Sequence, residues 1–254
     1  MQKITTYLLV VLLTLSGVVK AQDEPKISDS TQQLFFVAVS YGGQLPGADL
    51  ASRFGMNSYI GPQFGFKTNK NITFGLEWYF FFSKNVSEAD EIFKGLYNSQ
   101  GYFLNENGEP SFVSVFERGH IITGTVGKIF PLGKNYDSGL QVKFGAGFMR
   151  HKIRIDNEFD QTPQISGEYK KLYDRLTSGL VLSQFVGYTH FGPTNIFNYY
   201  VGFEIFEGFT KGRRDWQADL YRPYTENRFE LLYGVKLGWM IPFRRRLVAD
   251  YYVF

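Results

Sequence analysis

The sequence predicts an all-β fold, an eight-stranded antiparallel up-and-down transmembrane β-barrel. Three observations predict it. Segments of bilayer-crossing length alternate between apolar residues and glycine or polar ones. The connections between them alternate long and short. Beyond the N-terminal leader, no apolar run approaches the ~18 residues a membrane helix needs.

The alternation is clearest at the end of the chain. Phe229, Leu231, Tyr233, Val235, Leu237, Trp239 and Ile241 share one face; Glu230, Leu232, Gly234, Lys236, Gly238 and Met240 share the other. Side chains on a strand point to opposite faces in turn, so the first set forms one unbroken apolar face. A tilted strand crosses a bilayer in roughly 9–11 residues, which this segment matches.

The elements follow in order. Lys3, an apolar run over 7–19, and Val19 and Ala21 at the −3 and −1 places predict a secretory signal peptide over 1–21. Residues 22–32 read as a polar periplasmic lead. Strands are expected over 33–41, 58–68, 72–82, 116–130, 139–155, 175–191, 196–210 and 229–241. Long connections (42–57, 83–111, 156–174, 211–227) then fall on one side and short ones (68–71, 131–138, 192–195) on the other. Outer-membrane barrels have short periplasmic turns, longer extracellular loops and an even strand number. The barrel is therefore assigned to 33–241 and a periplasmic tail to 242–254.

The chain has no cysteine, which excludes a lipid-anchored N-terminus and disulfides. Without Lys3 and Lys20, 25 of the 27 Lys and Arg remain against 24 acidic residues. Bulk attraction to nucleic acid is thereby unsupported. Aromatic residues make up 18% of the chain, an excess carried by Phe and Tyr. Trp78, Phe80, Phe82, Tyr188, Tyr199 and Trp239 are expected to form two girdles bordering the apolar band.

The leader, the eight alternating strands, the loop asymmetry and the terminal Phe254 together resemble the small eight-stranded outer-membrane barrels of Gram-negative bacteria, the OmpA- and OmpX-like class. The resemblance runs from Gln33 to Ile241 and concerns architecture. It implies outer-membrane localisation and a C-terminal aromatic signal for assembly. Tyr252 and Phe254 fit that signal, whereas Asp250 breaks the alternation, and Pro242 and Arg244–Arg246 set the end apart from the last strand.

Eight strands enclose only enough room for side chains. Lys67, Glu77, Lys143, Glu204, Glu230 and Lys236 fall on the inward face and are expected to form a salt-bridged plug. Arg150, Lys152 and Arg154 beyond strand five, and Lys211, Arg213 and Arg214 opening the fourth loop, are candidate contacts to lipopolysaccharide phosphates. In the second loop Val86, Ala89, Phe93, Leu96 and Tyr97 are spaced as in a helix and suit a lid on the barrel mouth or a docking face. In the first, Asp49 is placed to cap one helical turn.

No catalytic or metal constellation emerges, and no cofactor is expected. Glu117 and His120 fall on opposite faces, and no G-x-S-x-G, H-E-x-x-H or Walker pattern occurs. The expected task is that of a structural or interaction subunit acting through long extracellular loops, set in an outer-membrane assembly or secretion complex. Its partners would be outer-membrane lipid, lipopolysaccharide and other outer-membrane or periplasmic proteins. The alternatives are a lipid A-modifying acyltransferase or deacylase using His120 or His151, and a narrow gated channel.

Overall fold

The computed structural model describes residues 31–157 and 162–244. Eight strands close into one antiparallel ring. They are β1 (Leu34–Ala48), β2 (Asn57–Lys67), β3 (Ile72–Ser83), β4 (Val113–Pro131), β5 (Gly139–Asn157), β6 (Thr177–Phe191), β7 (Asn198–Gly212) and β8 (Asn227–Phe243). Neighbours in sequence are neighbours in the ring, and β8 returns to pair with β1 from Phe35↔Phe243 to Ala48↔Glu230. Closure leaves no exposed strand edge.

The registers fix the stagger. Walking across the strands from Val37 leads through Phe64, Leu76, Gly124, Ala146, Leu182, Glu207 and Leu231 to Gly47, ten residues further along β1. Such a shear tilts the strands by roughly 35–45°.

The two faces sort as the alternation dictates. Phe64, Phe74, Leu76, Phe144, Leu180, Phe203 and Leu237 are exposed on the outer wall. Lys67, Glu77, Lys143, Glu204, Glu230 and Lys236 are buried in the lumen. An exterior this apolar around an interior this charged reverses the soluble-barrel pattern and suits a bilayer.

Four expectations change. β1 runs to Ala48 rather than stopping at Tyr41. Its continuation pairs with the upper part of β8, which reduces the first loop to residues 49–56. Pro242 and Phe243 belong to β8, because they pair with Phe36 and Phe35 on the edge that leads into β1. Arg150, Lys152 and Arg154 lie within β5, not beyond it, because β5 is paired by β4 as far as Asn157. Asp49 caps no helix: its Oδ2 accepts the backbone N–H of Phe229, which ties the first loop to β8. The expected signal peptide 1–21, most of the lead, and residues 245–254 with Asp250, Tyr252 and Phe254 lie outside the described residues.

Candidate functional site

The inward charges do not form one network; the registers separate them into three groups. Inward residues on strands of different register reach different depths in the lumen. Lys67 sits at the short-turn end, where its Nζ donates to Asp137 (2.6 Å), to Asn71 (3.0 Å) and to the carbonyl of Gln32 (2.7 Å). Phe36, Phe185, Phe191, Tyr200 and Met240 pack across the lumen near it.

The middle group is the densest. Glu77 accepts from Lys143 and Lys236, each at 2.7 Å, and Lys236 also reaches Glu204 at 2.7 Å. Two lysines thus face two glutamates. Tyrosines complete the set: Tyr59 donates to Glu204 (2.7 Å), Tyr79 to Glu77, and Tyr200 to Gln63 (2.8 Å). Lys143 also lies over the Phe185 ring at 4.7 Å, and Lys236 over Tyr79 at 4.6 Å. Every charge here has an opposite partner, and Glu77, Glu204 and Lys236 have further hydrogen bonds, the condition under which buried ions are tolerated.

Phe81, Ile121, Met149, Val181, Phe206 and Leu232 form an apolar layer beyond it. The third group lies on the far side. His151 Nε2 and Glu230 Oε2 are 2.8 Å apart, and Arg228 adds a contact to Glu230 at 3.3 Å. Glu117 is buried beside it and accepts from Asn57 (3.2 Å), while His120 stacks outside on Trp78 and Phe80. The opposed placement of Glu117 and His120 matches the sequence parity.

The long loops fold over this mouth. The second loop contains a short helix, α1 (Ala89–Phe93), whose Ile92 and Phe93 are buried against Phe103 and Tyr173. The helical spacing therefore serves a lid. Three guanidiniums clasp the loops together. Arg53 of the first loop reaches Glu88 of the second (3.4 Å), Thr177 of β6 (3.3 Å) and Tyr224 of the fourth. Arg175 of the third loop reaches Glu88 (3.5 Å) and holds Asp219 of the fourth through two bonds. Arg214 of the fourth loop pairs with Asp174 of the third. Burial alone would lower the Arg175 pKa, but the Asp219 contacts prevail and raise it.

Arg53, Glu88, Arg175 and Asp219 were not singled out in the sequence. Their partners lie on other loops, so no local spacing betrays them.

Arg214 is therefore engaged by Asp174, and Arg213 bonds the hydroxyl and carbonyl of Ser178. Arg150, Lys152, Arg154 and Lys211 remain exposed on the outer wall. Arg118 stands opposite Lys152, and His120 opposite Arg150, on adjacent strands. Arg154 contacts Asp156 at 3.3 Å, and both are exposed. Among the described residues, no carboxylate pairs with Arg150 or Lys152. The girdle residues Trp78, Phe80, Phe82, Tyr188, Tyr199 and Trp239 all face outward. The indole N–H of Trp239 donates to the carbonyl of Ile196 at 2.7 Å.

No protein-family model and no curated protein sequence matches the chain. Solved structures similar to it include Ail, the attachment invasion locus protein of Yersinia pestis, in complex with the heparin analogue sucrose octasulfate. That match has 6% identity and a TM-score of 0.45, and covers 83% of this chain and 100% of that one. Neisserial surface protein A matches at 11% identity and a TM-score of 0.42, over 82% of this chain and 97% of that one. The outer membrane protein OprG from Pseudomonas aeruginosa matches at 8% identity and a TM-score of 0.38, over 86% and 99%. The architecture itself is read from the chain's own registers: a closed ring of eight antiparallel strands with an apolar outer wall, the architecture of the small outer-membrane barrels.

Proposed function

We propose that this chain is an integral outer-membrane barrel without catalytic activity, which works as a structural or interaction subunit through its long-loop face. The observation that carries the proposal is the clasped lid over a lumen filled with paired charges. A path for solute would have to break the central ion pairs, the apolar layer and the lid in turn. A site for catalysis would need access to His151 or Glu117, both of which lie beneath the lid. The long-loop face is what remains for contact.

The outer wall supports one partner class. Like charges directly opposite on neighbouring strands destabilise a sheet. Arg118 opposite Lys152, with Arg150 beside them, therefore favours an anion bound from outside. They stand just beyond Ile122 and Phe148 on the same strands, at the end toward the long loops, where outer-leaflet lipid phosphates lie. We assign Arg150 and Lys152, with Arg118, to lipopolysaccharide phosphates, and Lys211 to the edge of the same patch.

Two experiments test the proposal. Reconstituted in planar bilayers, the protein is expected to give no steady conductance; an ohmic open pore overturns the closed reading. Binding of purified lipopolysaccharide is expected to weaken with salt, and Arg150→Ala with Lys152→Ala to weaken it and flatten that dependence. An unchanged salt dependence overturns the phosphate assignment.

A further inference from the structure

A cleft of about 370 Å³ opens on the long-loop face between the lid and the fourth loop. Glu91, Lys94 and Leu96 line one side, Asp219 and Tyr221 the other, and Tyr173 is also part of the wall. We propose that this cleft binds a neutral carbohydrate, one or two sugar rings of a surface glycan. The inference rests on the reading of the long-loop face as the contact face, and it names a ligand class for that face.

The size fits first. Small-molecule sites occupy roughly 300–1,000 Å³, and this cleft lies at the lower end of that range. The backbone is the second observation. Tyr221 has φ +52°, a conformation unusual for a bulky side chain. The residue is 81% exposed, so burial does not compensate for that conformation. What the conformation achieves is the presentation of an aromatic ring at the rim of the cleft. A tyrosine ring offers an apolar face to the C–H groups of a sugar and a hydroxyl at its edge.

Charge balance selects among ligands. Glu91 and Lys94 have opposite signs, and the Asp219 carboxylate is already neutralised by Arg175. The lining therefore carries no excess of either sign that would select an anion or a cation. A polyol finds both roles it needs. A carboxylate has about four acceptor positions, and Arg175 occupies only part of those on Asp219. Glu91 adds acceptors, and Lys94 adds donors. The clasp holds the fourth loop against the third, so the cleft is formed before a ligand arrives.

The test uses the full chain in detergent micelles. Maltose, cellobiose, lactose and N,N′-diacetylchitobiose are titrated and followed by saturation-transfer NMR. A sulfated disaccharide and a lysine-rich peptide serve as ionic probes. At least one neutral saccharide is expected to bind saturably and independently of salt. Tyr221→Ala should weaken it by about tenfold, as loss of a stacked ring implies. Tyr221→Phe should retain it. Tyr221→Gly removes the ring but suits the backbone, so it should unfold no earlier than the native protein and still lose saccharide binding. Absence of saturable binding by every neutral saccharide, tighter binding of either ionic probe, or native affinity in Tyr221→Gly overturns the proposal. Lipopolysaccharide binding is read on Arg150 and Lys152, far from the cleft in sequence. Failure here with that binding intact removes the glycan alone; failure of both removes the functional reading.

Discussion

Glu77 takes two lysines, and this single carboxylate sets the balance of the central lumen. Glu77→Leu would leave Lys143 and Lys236 to share Glu204. Removing one member of a buried pair costs about 3–5 kcal/mol, because the other charge stays buried. The variant should therefore melt well below the native barrel in heat-modifiability gels. Adding Lys143→Met should recover part of the loss, since it removes the orphaned cation. One lumen glycine shows what an added side chain would displace. A Cβ on Gly238 would meet the Tyr200 ring at 2.0 Å, and Tyr200 bonds Gln63 and Ser40. Gly238→Ala should displace that ring at a cost of about 1–3 kcal/mol, measured by urea unfolding in micelles. Which residues face the lumen was legible from parity alone. Which lumen charges meet was not: contact depends on stagger, and Lys67, Glu230 and the central four look alike in a period-two pattern.

At the scale of elements, the strands were readable because each carries its own evidence in alternation and turn chemistry. The lid was readable only in part. The spacing of Ala89 and Phe93 marked a helix, but the clasp joins Arg53, Glu88, Arg175 and Asp219 across four loops. Only the closed ring brings those residues together. Arg53→Ala or Glu88→Ala should loosen the lid without melting the barrel. The expected sign is faster tryptic cleavage at Lys94, with gel mobility of the folded barrel unchanged. The clasp should also be insensitive to alkali. Although burial lowers the Arg175 value, the Asp219 contacts prevail and hold it above the ordinary guanidinium range. A basic group with a raised folded-state value contributes stability that is complete below its unfolded value and is lost only as pH rises through the folded one. Protease resistance of the lid should therefore hold from neutral pH to about pH 10. A collapse within that span would show that the guanidinium contacts do not hold the lid.

The whole molecule is closed in depth, with ion pairs, an apolar layer, a buried acid–imidazole group and a lid in succession. Removing a single barrier should not open it. Phe81→Gly alone is expected to leave bilayers silent. The same change with Phe206→Gly and lid residues 89–93 replaced by glycine and serine still leaves the central ion pairs in the path, and should give at most brief, small currents. Large steady currents from Phe81→Gly alone would show that the ion pairs do not seal the lumen.

The seam between β1 and β8 has a consequence for how the chain reaches this state. It joins Phe35 to Phe243 and Ala48 to Glu230, pairings between opposite ends of the sequence. Every other junction in the ring can form as a local hairpin or between consecutive strands. The seam alone must wait for both ends, and the loop-closure entropy it demands is the largest in the molecule. Assembly should thus be zippered from local hairpins and limited by a final closing event. The ten-residue stagger makes that event discriminating, because a one-residue slip would turn the β8 lumen charges toward lipid. Slowing at the seam is then also a proofreading step: a chain truncated before β8 keeps most of its hairpins and is left with two open edges to aggregate.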